Sequence, residues 1–231
     1  MTDTMSVRSP VAGSRTRAIV FDLDGVLVNS APCHRAAFEE IFAPFGIHDF
    51  EYTRFAGWRT RDVVEKVFSD AGYAADAGII DTAAARKSEL ARQKMAACDP
   101  VVPGCADVLR ELSSRGYTLA LASSGSPQSV AVFLDSTAVR PLFRSVLTGG
   151  DVRHAKPDPE IYQRTCEQLR IDPADCLVVE DAVAGVVAAR AAGTSVIGVR
   201  GACSPEELLQ AGALDVLSHI RELPAWLTAA V

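Results

Sequence analysis

No apolar run in this chain approaches the roughly 18 residues that a membrane-crossing helix requires. The opening stretch, MTDTMSVRSPVAGSRT, is polar and lacks the apolar segment of a secretory signal, so residues 1–16 read as a disordered tail. Positive charge is scarce too. Lys and Arg number 23 against 29 Asp and Glu, a net charge of −6 that leaves no basic field for nucleic acid or an anionic membrane surface. Any anionic ligand must be gripped by local groups. The six cysteines form no C-x-x-C pair and no His–Cys cluster at zinc spacing. Most stand in apolar surroundings, where a free thiol behaves as a small hydrophobe. These absences point to a reduced, cytoplasmic protein, expected as a monomer or homodimer. A P-loop is missing as well, because G-x-x-x-x-G-K-[ST] occurs nowhere.

What is present is an ordinary globular composition, 48% hydrophobic and 23% charged. At 231 residues it suffices for one large domain or a core with a smaller insertion. Short apolar runs bounded by turn residues predict buried strands over 17–23, 117–123, 145–149, 176–180 and 195–199, with a weaker one at 214–217. Helical patterns fall between them at 102–114, 127–135, 159–169, 183–192 and 205–211. This alternation predicts an α/β fold, a doubly wound parallel sheet covered on both faces. From 31 to 99 the rhythm breaks. HRAAFEEIFAPFGI, TRDVVEKVFSDAG and DTAAARKSELARQKMAA all have helical periodicity, and no convincing strand separates them. The expected organisation is a sheet core of 17–30 and 100–231, with an all-helical insertion at 31–99.

One strand end carries an unusual charge pattern. In VFDLDGVLVN, residues 20–29, an apolar run ends in Asp22 and Asp24 with Gly25 directly behind. Two carboxylates so close repel, and burying either one is costly without a partner. Alone, Asp24-Gly25 could be a plain turn. A calcium loop is excluded, since Gly follows the second Asp at once and Cys33 stands where the twelfth-position Glu belongs. The other strand ends decide between the readings. They carry SSGS (123–126), Lys156 in HAKPDPE, and Glu180-Asp181, and ligands of open parallel sheets bind at such ends. Clustered carboxylates stay ionised beside a strong cation, and oxygen ligands favour Mg²⁺. Lys156 adds a fixed positive charge, and the hydroxyls of Ser123 and Ser124 can grip oxyanion oxygens. Such a rim suits a phosphoryl group, whose transfer rests on positioning and charge neutralisation. Strand alternation would point Asp22 and Asp24 the same way, one to attack phosphorus and the other to move the proton.

DLDGVL, ASSGS, KPDPEIY and EDAVAG together resemble the four motifs of the haloacid dehalogenase superfamily. The likeness covers nearly the whole chain after residue 16. The helical insertion is similar to the cap of the subgroup that contains β-phosphoglucomutase and many sugar-phosphate phosphatases. The resemblance implies a Rossmann-like core, Asp22 as nucleophile and Asp24 as general acid/base. It also implies that Ser123 and Lys156 bind phosphate, and that Asp22, the Asp24 backbone carbonyl, Glu180 and Asp181 hold Mg²⁺. Dehalogenases and phosphonate-cleaving members lack an acid where Asp24 stands, which favours an oxygen leaving group here.

In the insertion, His34 resembles a histidine of the mutase and related phosphatases, against the plainer reading of a structural histidine. GWRTRD (57–62) resembles a substrate-contacting cap loop, in which Thr60 falls where the mutase has arginine, flanked by Arg59 and Arg61. Lys87 roughly matches a cap lysine at altered spacing. A solvated helix face is the competing reading for Arg61 and Lys87, and cap core is the competing reading for Trp58. The expected function is a Mg²⁺-dependent phosphatase of a small, polar phosphate monoester, with sugar phosphates the leading class. A phosphoglucomutase-type mutase and a non-catalytic scaffold are the rivals.

Overall fold

The sheet starts with Ala18–Phe21 (β1), four residues with no exposed surface. The computed structural model describes residues 16–229, so the expected tail lies outside the described residues apart from Thr16. Five strands follow: Thr118–Ala122 (β2), Phe143–Leu147 (β3), Cys176–Glu180 (β4), Ser195–Val199 (β5) and Val216–Leu217 (β6). All pair in parallel, in the order β3-β2-β1-β4-β5-β6. The winding reverses between β1 and β4, where open α/β sheets form their binding crevice.

Strand residues alternate between two cores, as a period of two requires. Val20, Ala120, Val178 and Val196 face one way, with Ile161 and Val186 packed on them. Ile19, Phe21, Leu121, Val179 and Ile197 face the other, against Leu109, Phe133 and Leu223. Each large aliphatic buried this way contributes about 1.5–3 kcal/mol relative to exposure. With both faces covered, the strand ends are the places left for polar chemistry.

Between β1 and β2 lie Ala31–Phe42 (α1), Thr60–Asp70 (α2), Ala77–Ala96 (α3) and Cys105–Ser114 (α4). The first three belong to the strand-free stretch that the sequence predicts. Rings join the segment: Phe42 of α1 meets Phe68 of α2 at 5.8 Å between centroids, and Phe50, from the stretch between them, meets Phe38 at 5.0 Å. The chain enters and leaves this segment through adjacent strands of backbone. Asn29 N–H donates to the Pro100 carbonyl (2.7 Å), and Val102 N–H donates to that of Leu27 (2.9 Å).

Beyond β2 come Pro127–Thr137 (α5), Glu160–Leu169 (α6), Val183–Ala191 (α7), Pro205–Ala211 (α8) and Leu223–Ala229 (α9). Sequence and structure differ at some element ends. β3 stops at Leu147, not 149, because the Thr148 N–H and hydroxyl both turn to Asp151 Oδ2, at 2.8 and 2.7 Å. α4 starts at Cys105, not 102, because Gly104 takes φ +80°, outside the helical region. α9 was not predicted; its seven residues carry a proline at the second position. Every cysteine is free, five of them buried and Cys98 exposed. Among the described residues no helix is long and apolar enough to cross a membrane.

Candidate active site

The carboxylates at the end of β1 are placed by a turn rather than by strand alternation. β1 ends at Phe21, and only the Asp22 N–H continues the ladder, donating to the Val179 carbonyl at 3.0 Å. Gly25 then reverses the chain at φ +82°. A Cβ there would lie 1.8 Å from Asp181 Oδ2, so this position must be glycine on two counts. The turn still brings Asp24 to the rim. A Cβ built on Gly125 would sit 3.0 Å from Ser123 Oγ and 3.7 Å from Asp24 Oδ2, so the carboxylate and the hydroxyl face one small space.

Lys156 organises the core side. Its buried ammonium donates to Asp22 Oδ1 (2.5 Å), Glu180 Oε1 (2.8 Å) and the Ala122 carbonyl (3.1 Å), which accounts for all three of its donors. Glu180 is fully engaged. Its Oε1 also accepts from Tyr162 (2.6 Å), and its Oε2 accepts from the Asp181 and Ala182 N–H groups at 3.1 and 3.3 Å. Burial would discharge Lys156, but Asp22 and Glu180 outweigh it and hold the amine charged. Burial pushes Asp22 upward, and Glu180 and Asp24 add to this against the pull of Lys156. Asp181 is raised for the same reasons, by burial and by Glu180 and Asp22, although the Ala202 N–H donates to it at 2.7 Å. One ammonium thus faces three carboxylates, Asp22, Glu180 and Asp181, whose oxygens lie within 4.8 Å of one another. The cluster is short of positive charge, which suits a hard divalent cation on Asp22 and Asp181.

The serines separate. Ser123 is buried, donates its N–H to the Leu147 carbonyl at 3.0 Å, and its Oγ accepts from Gly125 N–H at 2.9 Å, leaving the hydroxyl proton free for an anion. Ser124, expected beside it as a phosphate group, instead donates its hydroxyl to the Gly57 carbonyl at 2.6 Å. This bond ties the core loop to the helical segment.

Asp24 faces that segment. Ser30, the residue before α1, makes no capping bond; its hydroxyl donates to Asp24 Oδ1 at 2.5 Å. His34, one helical turn further on, places Nε2 3.1 Å from the same oxygen. Lys87 Nζ reaches His34 Nδ1 at 2.8 Å and Thr60 Oγ1 at 3.4 Å. An ammonium that donates to Nδ1 leaves the proton on Nε2, where it serves Asp24. Burial alone would raise Asp24, but His34, Ser30 and Lys87 overcome it and hold the carboxyl at about 2. Burial and Lys87 lower His34, with Asp24 opposing. Burial brings Lys87 down to about 7.

Lys87 is therefore buried, which overturns the solvated-face reading for it. That reading stands for Arg61, half-exposed and paired with Asp81 (2.8 Å) and Glu65 (3.0 Å). Arg59 makes no bond to the site carboxylates; it is held by Asp62 at 2.9 Å and by the Arg153 carbonyl at 3.5 Å. Trp58 is partly buried and packs edge-on against Phe55 at 5.8 Å at the margin of the apolar core, in line with the cap-core reading. Sequence reasoning missed Ser30, which bonds Asp24, and Tyr52, whose ring stacks on His34. Ser30 had a signal, lying four residues before His34 and so on one helical face with it. Tyr52 had none.

Residues 16–193 match the family of haloacid dehalogenase-like hydrolases. The chain belongs to that family. A phosphoglycolate phosphatase (plasmid) of Cupriavidus necator is 33% identical to this hydrolase, over 92% of this chain and 94% of the relative. The structure of a mutant of CbbY from Rhodobacter sphaeroides in complex with xylulose-(1,5)bisphosphate is also similar. It has 28% identity and a TM-score of 0.77 over 90% of this chain and 96% of that one. The β-phosphoglucomutase of Clostridium difficile, 22% identical, shares the fold at a TM-score of 0.81 over 93% of this chain and 96% of its own.

Proposed function

We propose that this hydrolase is a cytoplasmic, Mg²⁺-dependent phosphatase of small, polar phosphate monoesters, working through an aspartyl-phosphate on Asp22. The observation that carries the reading is the Lys156 ammonium 2.5 Å from Asp22 Oδ1, at the sheet's switch point and beside a second carboxylate, Asp181. A carboxylate nucleophile repels the phosphate it must attack, and this arrangement supplies the counter-charge. Mg²⁺ would be held by Asp22 and Asp181, with the Asp24 carbonyl, while Glu180 buttresses both Asp22's lysine and the cluster. Bound there, the ion would neutralise charge on the phosphoryl oxygens.

Asp22 Oδ attacks phosphorus, the bond from phosphorus to the ester oxygen breaks, and Asp24 delivers a proton to the departing alcohol. Asp24 then takes a proton from water as that water attacks the phosphoenzyme, releasing inorganic phosphate and restoring Asp22. The free protein holds Asp24 anionic at about 2. The arriving phosphate adds negative charge beside it, which opposes His34 and Lys87 and favours uptake of the proton that it then delivers. The Ser123 hydroxyl holds a phosphate oxygen during both steps, and the Lys156 ammonium, bonded to Asp22, offsets the phosphate's charge without contacting it.

A mutase would have to retain a second phosphate against the helical segment. Here Arg59 and Arg61 are engaged by Asp62, Asp81 and Glu65, and Thr60 offers only a hydroxyl. Hydrolysis is the better fit. The test is a panel of phosphate esters assayed for phosphate release with Mg²⁺ and again with excess chelator. Release that depends on the metal is expected; undiminished release in chelator, or no ester cleaved, would overturn the reading. With β-glucose 1-phosphate the main product should be inorganic phosphate, and faster formation of glucose 6-phosphate would favour the mutase.

A further inference from the structure

Two tyrosines stand at the edges of this site, and only one has a partner. Tyr162 is fully buried and donates its hydroxyl to Glu180. Tyr52 lies in a short 3₁₀ turn of the helical segment, Tyr52–Phe55, and is 9% exposed. Its ring lies over that of His34, with centroids 6.4 Å apart and planes 18° apart, and beside Phe38 at 6.5 Å. Yet its hydroxyl finds no hydrogen-bond partner among the described residues, where a buried tyrosine hydroxyl normally has one. Among the described residues no sealed-off polar side-chain atom lacks a partner, so this hydroxyl opens onto reachable space rather than into packed core.

The ring's neighbour places it: His34, on which Tyr52 stacks, holds Nε2 3.1 Å from Asp24 Oδ1. Burial keeps the Tyr52 proton bound well above the usual phenol range, and the charges that add to this are Asp24, Asp181, Asp22 and Cys203. All four lie after the carboxyl ends of core strands. The phenol thus stands beside the His34–Asp24 pair at the edge of the site and remains a donor. The long cationic side chains nearest the site in the helical segment are already engaged: Lys87 with His34 and Thr60, Arg59 with Asp62, and Arg61 with Asp81.

In the phosphatase reading, on which this inference rests, Asp22 and Ser123 hold the phosphate from the core side, so the alcohol portion of the ester points toward Tyr52. We propose that the Tyr52 hydroxyl pairs with a hydroxyl group of the departing alcohol, which makes the site selective for phosphate esters of polyhydroxy compounds. An apolar alcohol would leave the buried phenol unpaired, and a site that expects a hydrogen bond discriminates strongly against a ligand that lacks it.

The experiment compares wild type with Tyr52→Phe on two esters of similar size, glucose 6-phosphate and cyclohexyl phosphate, with Mg²⁺ present. Phenylalanine keeps the ring on His34, and a thermal melt checks that the fold is intact. Wild type should prefer the sugar ester. The variant should lose about tenfold in kcat/KM on it, mostly through KM, and should be unchanged on cyclohexyl phosphate. An equal loss on both esters, or an unaltered preference, would overturn the assignment of Tyr52 while leaving the phosphatase reading standing. Failure of wild type to cleave either ester would count against the phosphatase reading, and the Tyr52 assignment would fall with it.

Discussion

Two lysines are buried in this molecule, and their surroundings push them in opposite directions. Lys156 is 2% exposed and Lys87 is 3% exposed. Burial disfavours the charge of both. Lys156 touches two carboxylates directly and stays charged, with its proton held well above the ordinary lysine range. Lys87 touches none. Its nearest acid, Asp24, lies beyond the His34 ring, and its pKa falls to about 7. The core lysine is thus a permanent cation built into the sheet's rim. The lysine of the helical segment is poised to gain or lose its proton, and it acts on Asp24 through an imidazole.

Removing the permanent cation should have the largest effect. Lys156→Ala leaves Asp22 and Glu180 buried without their counter-charge, so stability should fall by about 3–5 kcal/mol and turnover should be abolished. Urea unfolding measures the first, and a loss below about 1 kcal/mol would show that the cluster tolerates protonation instead.

The second lysine gives a smaller, pH-dependent effect. Its folded pKa of about 7 lies below the ordinary 10.5. Below about 7 both folded and unfolded chains hold the proton, and the cost of burying the charge is carried in full. Above it only the unfolded chain stays protonated, so this contribution to stability rises with pH. Between about pH 7 and pH 9, wild type should gain about 2 kcal/mol over Lys87→Met in unfolding free energy. Parallel curves for the two proteins would mean that Lys87 keeps its proton as Lys156 does, and the contrast would collapse.

The smallest effect is expected at the surface of the same segment. Arg61 makes two ion pairs, but its side chain is 39% exposed. Arg61→Ala should change stability by less than about 0.5 kcal/mol and activity by less than about twofold. A large loss of activity would place Arg61 in the substrate's path.

The same contrast governs what could be read from the chain itself. Strands β4 and β5 were legible to the residue, because continuous apolar runs ended by polar or glycine-containing turns have one reading in a parallel sheet. The core rim was legible for a related reason. Asp22, Lys156, Glu180 and Asp181 follow strands of one sheet, and parallel pairing brings those ends together wherever they stand in sequence. No such rule links a helix of the insertion to the rim. Lys87 meets His34 across 53 positions and through the packing of α3 on α1. Tyr52 reaches the site from a single turn with no periodicity. Ser124 looked equivalent to Ser123, and only the approach of Gly57 distinguishes them.

The central claim is that Asp22 carries the phosphoryl group. Reduction of the enzyme with borohydride during turnover, followed by peptide mass spectrometry, tests it most directly, because an acyl phosphate is reduced to an alcohol while a free carboxylate is not. With a cleaved ester and Mg²⁺ present, Asp22 alone should be converted to homoserine, and Asp22→Asn should lose at least about 10³-fold in rate with its fold retained. Steady phosphate release with Asp22 unmodified, or trapping at another carboxylate, would contradict the account.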